Sequence, residues 1–232
     1  MGHIEVNKEK GFIHVLLNYP NCTNSLTDDM IDELVERVEE LEKENQNIII
    51  LSGSGKGFCS GGTLSILKGE RDSKRNLFDQ LEKVIKQLYL MPKFIVSAIH
   101  GSCFGIGLSL ALATDYVIAH KDAQFSMNFY RKNHVPIGGG KFWLKRRLGE
   151  QLSRQWIWKE REISGDEAFR VSLIDDVTSR PVIDEVYDHI RLNKWGSIEA
   201  MIAAKKLYHP YTARELEKEL RKEREWDLKM EA

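Results

Sequence analysis

Apolar positions recur along the chain with two periods, and the switching between them predicts its elements. His3–Glu9 and Phe12–Asn18 alternate apolar and polar residues on either side of Lys10-Gly11, the pattern of a hairpin. After a loop from Pro20 to Asn24, Thr27 stands as the N-cap of a helix with Asp28 and Asp29 in its first turn. Met30, Ile31, Leu34, Val35, Val38 and Leu41 fall on one stripe of that helix, and glutamates cover the rest. Asn47–Ser52 contains Ile-Ile-Ile-Leu, the run expected of a strand buried on both faces. A charged stretch, Lys68 to Lys74, is expected to be mobile. It leads into a second helix with Leu77, Phe78, Leu81, Val84, Ile85 and Leu88 in register, stopped by Pro92. Phe94–Ile99 is another buried strand, so strand, helix and strand make a right-handed parallel crossover. Gly101 to Gly107 opens a third helix running to about Ala113, and Tyr116–Ala119 is a short strand. Beyond Pro136 the pattern is almost wholly helical: Lys141–Arg147, Gln151–Trp158, Asp166–Val171, Pro181–Leu192, Ile198–Tyr208 and Ala213–Lys229. The prediction is an α/β core with a helical C-terminal layer.

Length and composition narrow this picture. A chain of 232 residues fits one large domain or one domain with an appendage. Lys and Arg (34) balance Asp and Glu (35), so no global field favours nucleic acid or an anionic membrane. At 42% hydrophobic residues the chain can bury a sizeable core and is not disordered. Cys22, Cys59 and Cys103 show no C-x-x-C spacing, which favours a reducing compartment. Phe94 to Thr114 is uncharged apart from His100, but Gly101, Gly105 and Gly107 interrupt it; a buried strand turning into a buried helix explains it better than a membrane span. Met1–Val6 carries no apolar signal stretch, and Val6 sits where myristoylation needs Ser or Thr. A cytoplasmic globular protein is expected.

Several motifs fail on spacing. Gly53-x-Gly55-x-Gly57 is not a phosphate loop, because Ile50 stands at the first glycine position and Gly57 follows Lys56. Gly105-x-Gly107 lacks the third glycine of a dinucleotide fingerprint, where Leu110 stands. There is no Gly-x-Ser-x-Gly elbow, and the seven histidines form no metal-binding pair. Two glycine-rich segments remain, Phe58–Thr63 and His100–Gly107, each leaving a buried strand where an open parallel sheet binds ligands. They suit two tight strand-to-helix turns, and equally a pair of backbone N–H groups aimed at one oxygen atom.

In order along the chain, Asn18-Tyr19-Pro20 through Asn24-Ser25-Leu26, Ile48–Gly53, Gly55-Lys56, Phe58-x-Ser60-Gly61-Gly62, Ile99-His100-Gly101, Gly105-x-Gly107, Ala113–Tyr116, Ala123-Gln124-Phe125, Pro136-x-Gly138-Gly139 and Leu148-Gly149 resemble the enoyl-CoA hydratase/isomerase (crotonase) superfamily. The resemblance implies a spiral of β-β-α turns over 1–177 and a helical trimerisation layer over 178–232, in a homo-trimer or hexamer. It implies an acyl-CoA or acyl-carrier-protein thioester as ligand, coenzyme A being part of the substrate and no separate cofactor or metal being needed. Position by position, the N–H groups of Gly62 and Ile106 would form an oxyanion hole. Thr63, Leu64 and Ser65 would line the mouth of the site, and the backbone near Cys22 and Asn24 would lie along the coenzyme, with Ser60, Phe129 and Tyr130 completing the binding set.

Three departures qualify the resemblance. The two glutamates that add water in hydratases fall on Ser109 and Phe129, and the aspartate of some isomerases falls on Ile137. Ser109 and His134 are left as candidates for moving a proton, and Tyr130 as a hydrogen-bond donor. The expectation is therefore an enoyl-CoA hydratase/isomerase-like enzyme that stabilises an enolate. The alternatives are a decarboxylase of a carrier-bound glutaconyl-type thioester and a non-catalytic acyl-CoA binder. The helices beyond Pro136, with Trp143, Trp156, Trp158 and Trp195, carry more apolar surface than one small sheet covers, which favours an oligomer.

Overall fold

A computed structural model describes residues 3–63, 71–130 and 133–230. Of the site residues expected from sequence, Leu64 and Ser65 lie outside the described residues, as does the start of the charged stretch, residues 68–70.

The alternating hairpin forms as expected: β1 (Ile4–Lys8) pairs antiparallel with β2 (Phe12–Leu17). Thr27 caps α1 (Asp28–Lys43), its hydroxyl oxygen accepting the Met30 N–H at 3.2 Å. Met30, Ile31, Leu34, Val38 and Leu41 are the buried stripe of that helix. Then follow β3 (Ile48–Gly53), β4 (Gly57–Cys59) and α2 (Arg71–Leu90), and β5 (Phe94–Ile99), β6 (Ser102–Phe104) and α3 (Ile106–Leu112). Next come β7 (Tyr116–His120), β8 (Gln124–Ser126), α4 (Gly140–Lys159), β9 (Glu162–Ser164), α5 (Gly165–Arg170), β10 (Asp176–Thr178), α6 (Val182–Arg191) and α7 (Ile198–Met230).

After the β1–β2 hairpin, each turn of the chain from β3 to β8 places one strand in each of two sheets. The larger has the order β1-β2-β3-β5-β7-β10, parallel from β2 onward. The smaller is β4-β6-β8-β9, in which β4, β6 and β8 run parallel and β9 antiparallel. β3 and β5 are buried at every position, as an Ile-rich run between two layers must be. On one face they meet α1, α2 and the small sheet; on the other, Ile50, Phe94, Val96 and Ile118 pack against Val182, Val186 and Ile202. The line drawn at 177 falls within β10, the edge strand of the larger sheet.

The structure corrects the sequence reading in several places. The strands β4, β6 and β8 of the small sheet have three residues each, too few to show a period. The region beyond Pro136 is not purely helical, because β9 and β10 are completed by partners distant in sequence. The helices expected at Lys141–Arg147 and Gln151–Trp158 do both form, as the two halves of α4 on either side of a kink at Gly149, whose φ of +73° is non-helical. Ile198–Tyr208 and Ala213–Lys229 are one helix running through Pro210. Trp143 and Trp156 are core residues and Trp195 packs under α6, leaving Trp158 exposed among the four tryptophans.

Candidate active site

The two glycine-rich segments lie side by side because β4 and β6 pair in parallel, with Cys59 opposite Cys103. Their approach is closer than side chains allow. A Cβ at Gly107 would stand 2.6 Å from the Cys59 carbonyl oxygen, and one at Gly61 would stand 3.2 Å from that of Phe104. Burial pushes the Cys59 thiol up to about 12 and the Cys103 thiol well above its usual value, so both are packing residues and not nucleophiles.

The first segment is pinned by Leu26. The Leu26 N–H donates to Gly61 O at 2.7 Å, and the Thr63 N–H donates to Leu26 O at 3.0 Å. In such a parallel bridge the intervening residue, Gly62, turns its own N–H to the opposite side. In the second segment Gly105 is the N-cap of α3, with φ of +53°, and the first helical bond joins the Ser109 N–H to Gly105 O at 3.1 Å. Ile106 is thus the first residue of the helix, where the geometry leaves the N–H without an intrahelical acceptor. The phenyl ring of Phe129 covers Gly105: a Cβ there would stand 3.5 Å from the ring.

Ser109, fully buried on α3, donates its hydroxyl hydrogen to Ile137 O at 2.7 Å. The hydroxyl hydrogen is thus committed, and the oxygen is left as an acceptor. His134 is buried, and its ring faces α7, where Nδ1 lies 3.0 Å from Asp227 Oδ1. The carboxylate also accepts the Val135 N–H at 3.2 Å, so it faces two donors, that N–H and the ring at Nδ1. Four residues earlier on α7, Glu223 accepts the Gly139 N–H at 2.8 Å. Sequence reasoning missed both carboxyl groups, because they lie more than eighty residues from their partners on a helix that reads as a solvated charged rod. A faint signal was there: Leu216, Leu220, Glu223 and Asp227 share one face at helical spacing, and all four are buried.

The remaining candidates divide. Asn24 is buried with its side chain fully used, accepting the Tyr19 N–H at 2.7 Å and donating to Ser54 O and Gly57 O. Only the backbone of this loop is free to meet a ligand. Cys22 is exposed, and its carbonyl accepts from the Ser60 hydroxyl at 3.2 Å, tying the loop to the first glycine segment. Thr63 is half-buried beside Gly62. Tyr130 is 40% exposed and lines a groove of about 320 Å³ with Lys141, Lys145, Arg154 and Trp158, apart from the glycine segments. Among the described residues no cluster of His, Cys, Asp and Glu could hold a metal ion, and no helix is long and apolar enough to cross a membrane.

Comparison with known proteins agrees with the resemblance. Residues 7–231 match the family model described as enoyl-CoA hydratase/isomerase. The Bacillus subtilis protein YhaR, whose name assigns it to the enoyl-CoA hydratases/isomerases, is 36% identical over 90% of this chain and 83% of its own. An Escherichia coli 1,2-epoxyphenylacetyl-CoA isomerase is 28% identical over 78% of this chain and 73% of its own. The crystal structure of an enoyl-CoA hydratase from Bacillus halodurans superposes with a TM-score of 0.91 at 24% identity, covering 99% of this chain and 95% of the other, a match of fold alone. With the fold, the ordered motifs and the family model in agreement, this chain belongs to the enoyl-CoA hydratase/isomerase family of enzymes, the crotonase superfamily.

Proposed function

We propose that the chain receives the carbonyl oxygen of an acyl-CoA thioester between the N–H groups of Gly62 and Ile106 and stabilises the enolate that forms there. The observation that supports this most directly is the close seating of residues 59–62 on 104–107, which only glycine at 61 and 107 permits. Two N–H groups held by the backbone need no reorganisation as charge grows on the oxygen, and in a dry site this is the largest single contribution to catalysis. The exposed backbone near Cys22, with Ser60 and Thr63, offers the path for the pantetheine arm. Coenzyme A belongs to the substrate and no further cofactor is invoked. An acyl-carrier-protein thioester presents the same reacting group. The same reading carries a homo-trimer or hexamer of cytoplasmic location.

The surroundings of the hole select among reactions. Hydration requires one group to deprotonate water and another to protonate carbon. Ser109 has its hydrogen bonded to Ile137 O, and Phe129 is a hydrocarbon ring over Gly105. This favours reactions in which the substrate releases its own electron pair. In a glutaconyl-type thioester, the pair of the breaking C–CO2⁻ bond moves through the conjugated double bond to the thioester oxygen, CO2 leaves, and the dienolate then takes a proton. Of the candidate side chains, the one we assign to pass that proton is the His134 ring, which Asp227 holds through Nδ1.

The test measures enolate formation directly: exchange of the α-hydrogens of but-3-enoyl-CoA in D2O, together with calorimetric binding. Ile106→Pro deletes one N–H at the helix position where proline is tolerated, and should slow exchange by about 10²–10³-fold. Absence of binding by several acyl-CoAs to the unmodified chain overturns the reading. An unaffected rate in His134→Asn assigns the proton to water.

A further inference from the structure

The segment from His134 to Gly139 has two sides, each fastened to a different helix. On one side the Ile137 carbonyl takes the Ser109 hydroxyl hydrogen, and Gly138 is packed so closely that a Cβ there would stand 3.0 Å from the Ser109 Cβ. On the other side α7 presents Asp227 to the His134 ring and the Val135 N–H, and Glu223 to the Gly139 N–H. Behind these, Lys141 pairs with Glu219 and Leu216 lies against Gly139, so the contact continues along the helix. The segment also reaches the Phe129 carbonyl through the His134 N–H, at 3.2 Å.

We propose that Glu223 and Asp227 are positioning residues: from the C-terminal helix they hold residues 134–139 in the arrangement that keeps the Ile137 carbonyl on the Ser109 hydroxyl, and so fix the start of α3, where Ser109 meets the Gly105–Ile106 peptide. The inference rests on the reading that the reacting carbonyl sits at Gly62 and Ile106. Glu223 is the stronger of the two anchors, since it serves the backbone alone. It is buried, its Oε1 has no hydrogen-bond partner among the described residues, and no cation is bonded to it. Burial of a carboxyl with one oxygen unsatisfied costs stability, so its presence calls for an explanation beyond packing. What it does hold is the N–H of Gly139, at a backbone turn with φ of +80° whose carbonyls at Gly138 and Gly139 are taken locally by Trp143, leaving the N–H to Glu223. Asp227 fixes the other end of the same turn through two donors, and a carboxylate shared by a ring nitrogen and a backbone N–H fixes the direction of the ring. Between the two anchors lies Ile137, whose carbonyl decides where the Ser109 hydrogen points. Released from it, the buried hydroxyl would turn to its other acceptor, the Gly105 carbonyl at 3.5 Å, which belongs to the same peptide as the Ile106 N–H.

A double-mutant cycle on α-hydrogen exchange of but-3-enoyl-CoA tests this. Glu223→Ala should lower kcat about ten- to a hundredfold through misplacement of the site, with KM within about threefold. Glu223→Gln keeps an oxygen acceptor for the Gly139 N–H and should restore most of the loss. In a Ser109→Ala background Glu223→Ala should cost nothing further, because the residue through which it acts is gone. If Glu223→Ala does not fold, Asp227→Asn carries the same cycle. Equal losses in both backgrounds overturn the proposal, as does a Glu223→Gln variant as impaired as the alanine. Amide hydrogen exchange reads the same coupling without any substrate, and so separates it from the thioester reading: Glu223→Ala should deprotect Gly139 and also residues 105–109. Loss of protection at Gly139 alone shows that the clamp does not reach Ser109.

Discussion

At the scale of single residues, the site depends on where a backbone atom must pass and where a charge must hide. Gly101 has φ of +54°, and a Cβ there would stand 1.9 Å from the Lys56 carbonyl oxygen. Gly101→Ala should therefore destabilise the chain by more than about 3 kcal/mol, read as a shifted denaturant midpoint, since both the conformation and the space exclude it. Burial holds the Glu223 carboxyl well above the ordinary glutamate value of 4.5; the Gly139 N–H, the Lys141 backbone and the Lys141 ammonium pull it down, and Glu219 pushes it further up. The folded chain thus keeps a proton that the unfolded chain releases above pH 4.5, so stability falls as pH rises from there toward the raised value. Glu223→Gln cannot ionise and should flatten that decline in thermal melts taken at rising pH above 4.5; parallel curves would contradict the assignment. Ser109 and Phe129 carry the third prediction. With no carboxylate at either position, crotonyl-CoA hydration should be ~10⁴-fold or more below that of a paired-glutamate enzyme, measured as loss of enoyl absorbance. Rapid hydration abolished by Ser109→Ala would show that a hydroxyl does the work of a carboxylate.

At the scale of elements, α7 shows how tertiary contacts override a local rule. Proline in a helix interior removes one hydrogen bond and costs about 3 kcal/mol, which is why two helices are expected on either side of Pro210. Anchors on both sides keep the helix continuous. Before Pro210, Lys205 forms an ion pair with Asp115 at 2.8 Å and donates to Lys93 O. After it, Thr212 bonds the Tyr89 hydroxyl at 2.6 Å and Leu216 is fully buried. Since Pro210 itself is exposed, Pro210→Ala should stabilise the chain by about 1–3 kcal/mol, checked by denaturant unfolding. A loss of stability would mean that the proline ring itself helps to seat the helix. The contrast with α4 is instructive. There two helices were expected on either side of residues 148–150, and the break exists at Gly149, where a φ of +73° suits a residue without a side chain. The small sheet was illegible for another reason. Its strands are three residues long and join across crossovers, so their identity lies in partners and not in pattern.

At the scale of the whole molecule, the outward face of α7 carries Leu207, Tyr208 and Tyr211, exposed by 76%, 66% and 83%, at the three- and four-residue spacing that makes one patch. An apolar patch of aromatic residues on a helix is the composition of a subunit contact. Light scattering should return a mass near three times 26.8 kDa or a multiple of it, and Tyr211→Glu should lower it. A single-chain mass at micromolar concentration would overturn this. The tryptophans, which pointed to the same conclusion from sequence, contribute little to it, since Trp143 and Trp156 belong to the core.

What the sequence by itself determined are the features written in short range. The hairpin, the capped α1, the doubly buried β3 and β5, and the glycines at 61, 105 and 107 each follow from spacing and residue type within a few positions. The family followed from the order of such features along the chain. The tertiary structure alone decided which carboxyl groups stand near the site. The positions where glutamates are expected hold Ser109 and Phe129, while Glu223 and Asp227 arrive from a helix some ninety residues away. No local pattern distinguishes those two from the solvated glutamates around them. A charged side chain on an amphipathic helix declares its partner only when the helix docks, and that docking depends on the sum of contacts along α7, from Lys205 at one end to Asp227 at the other.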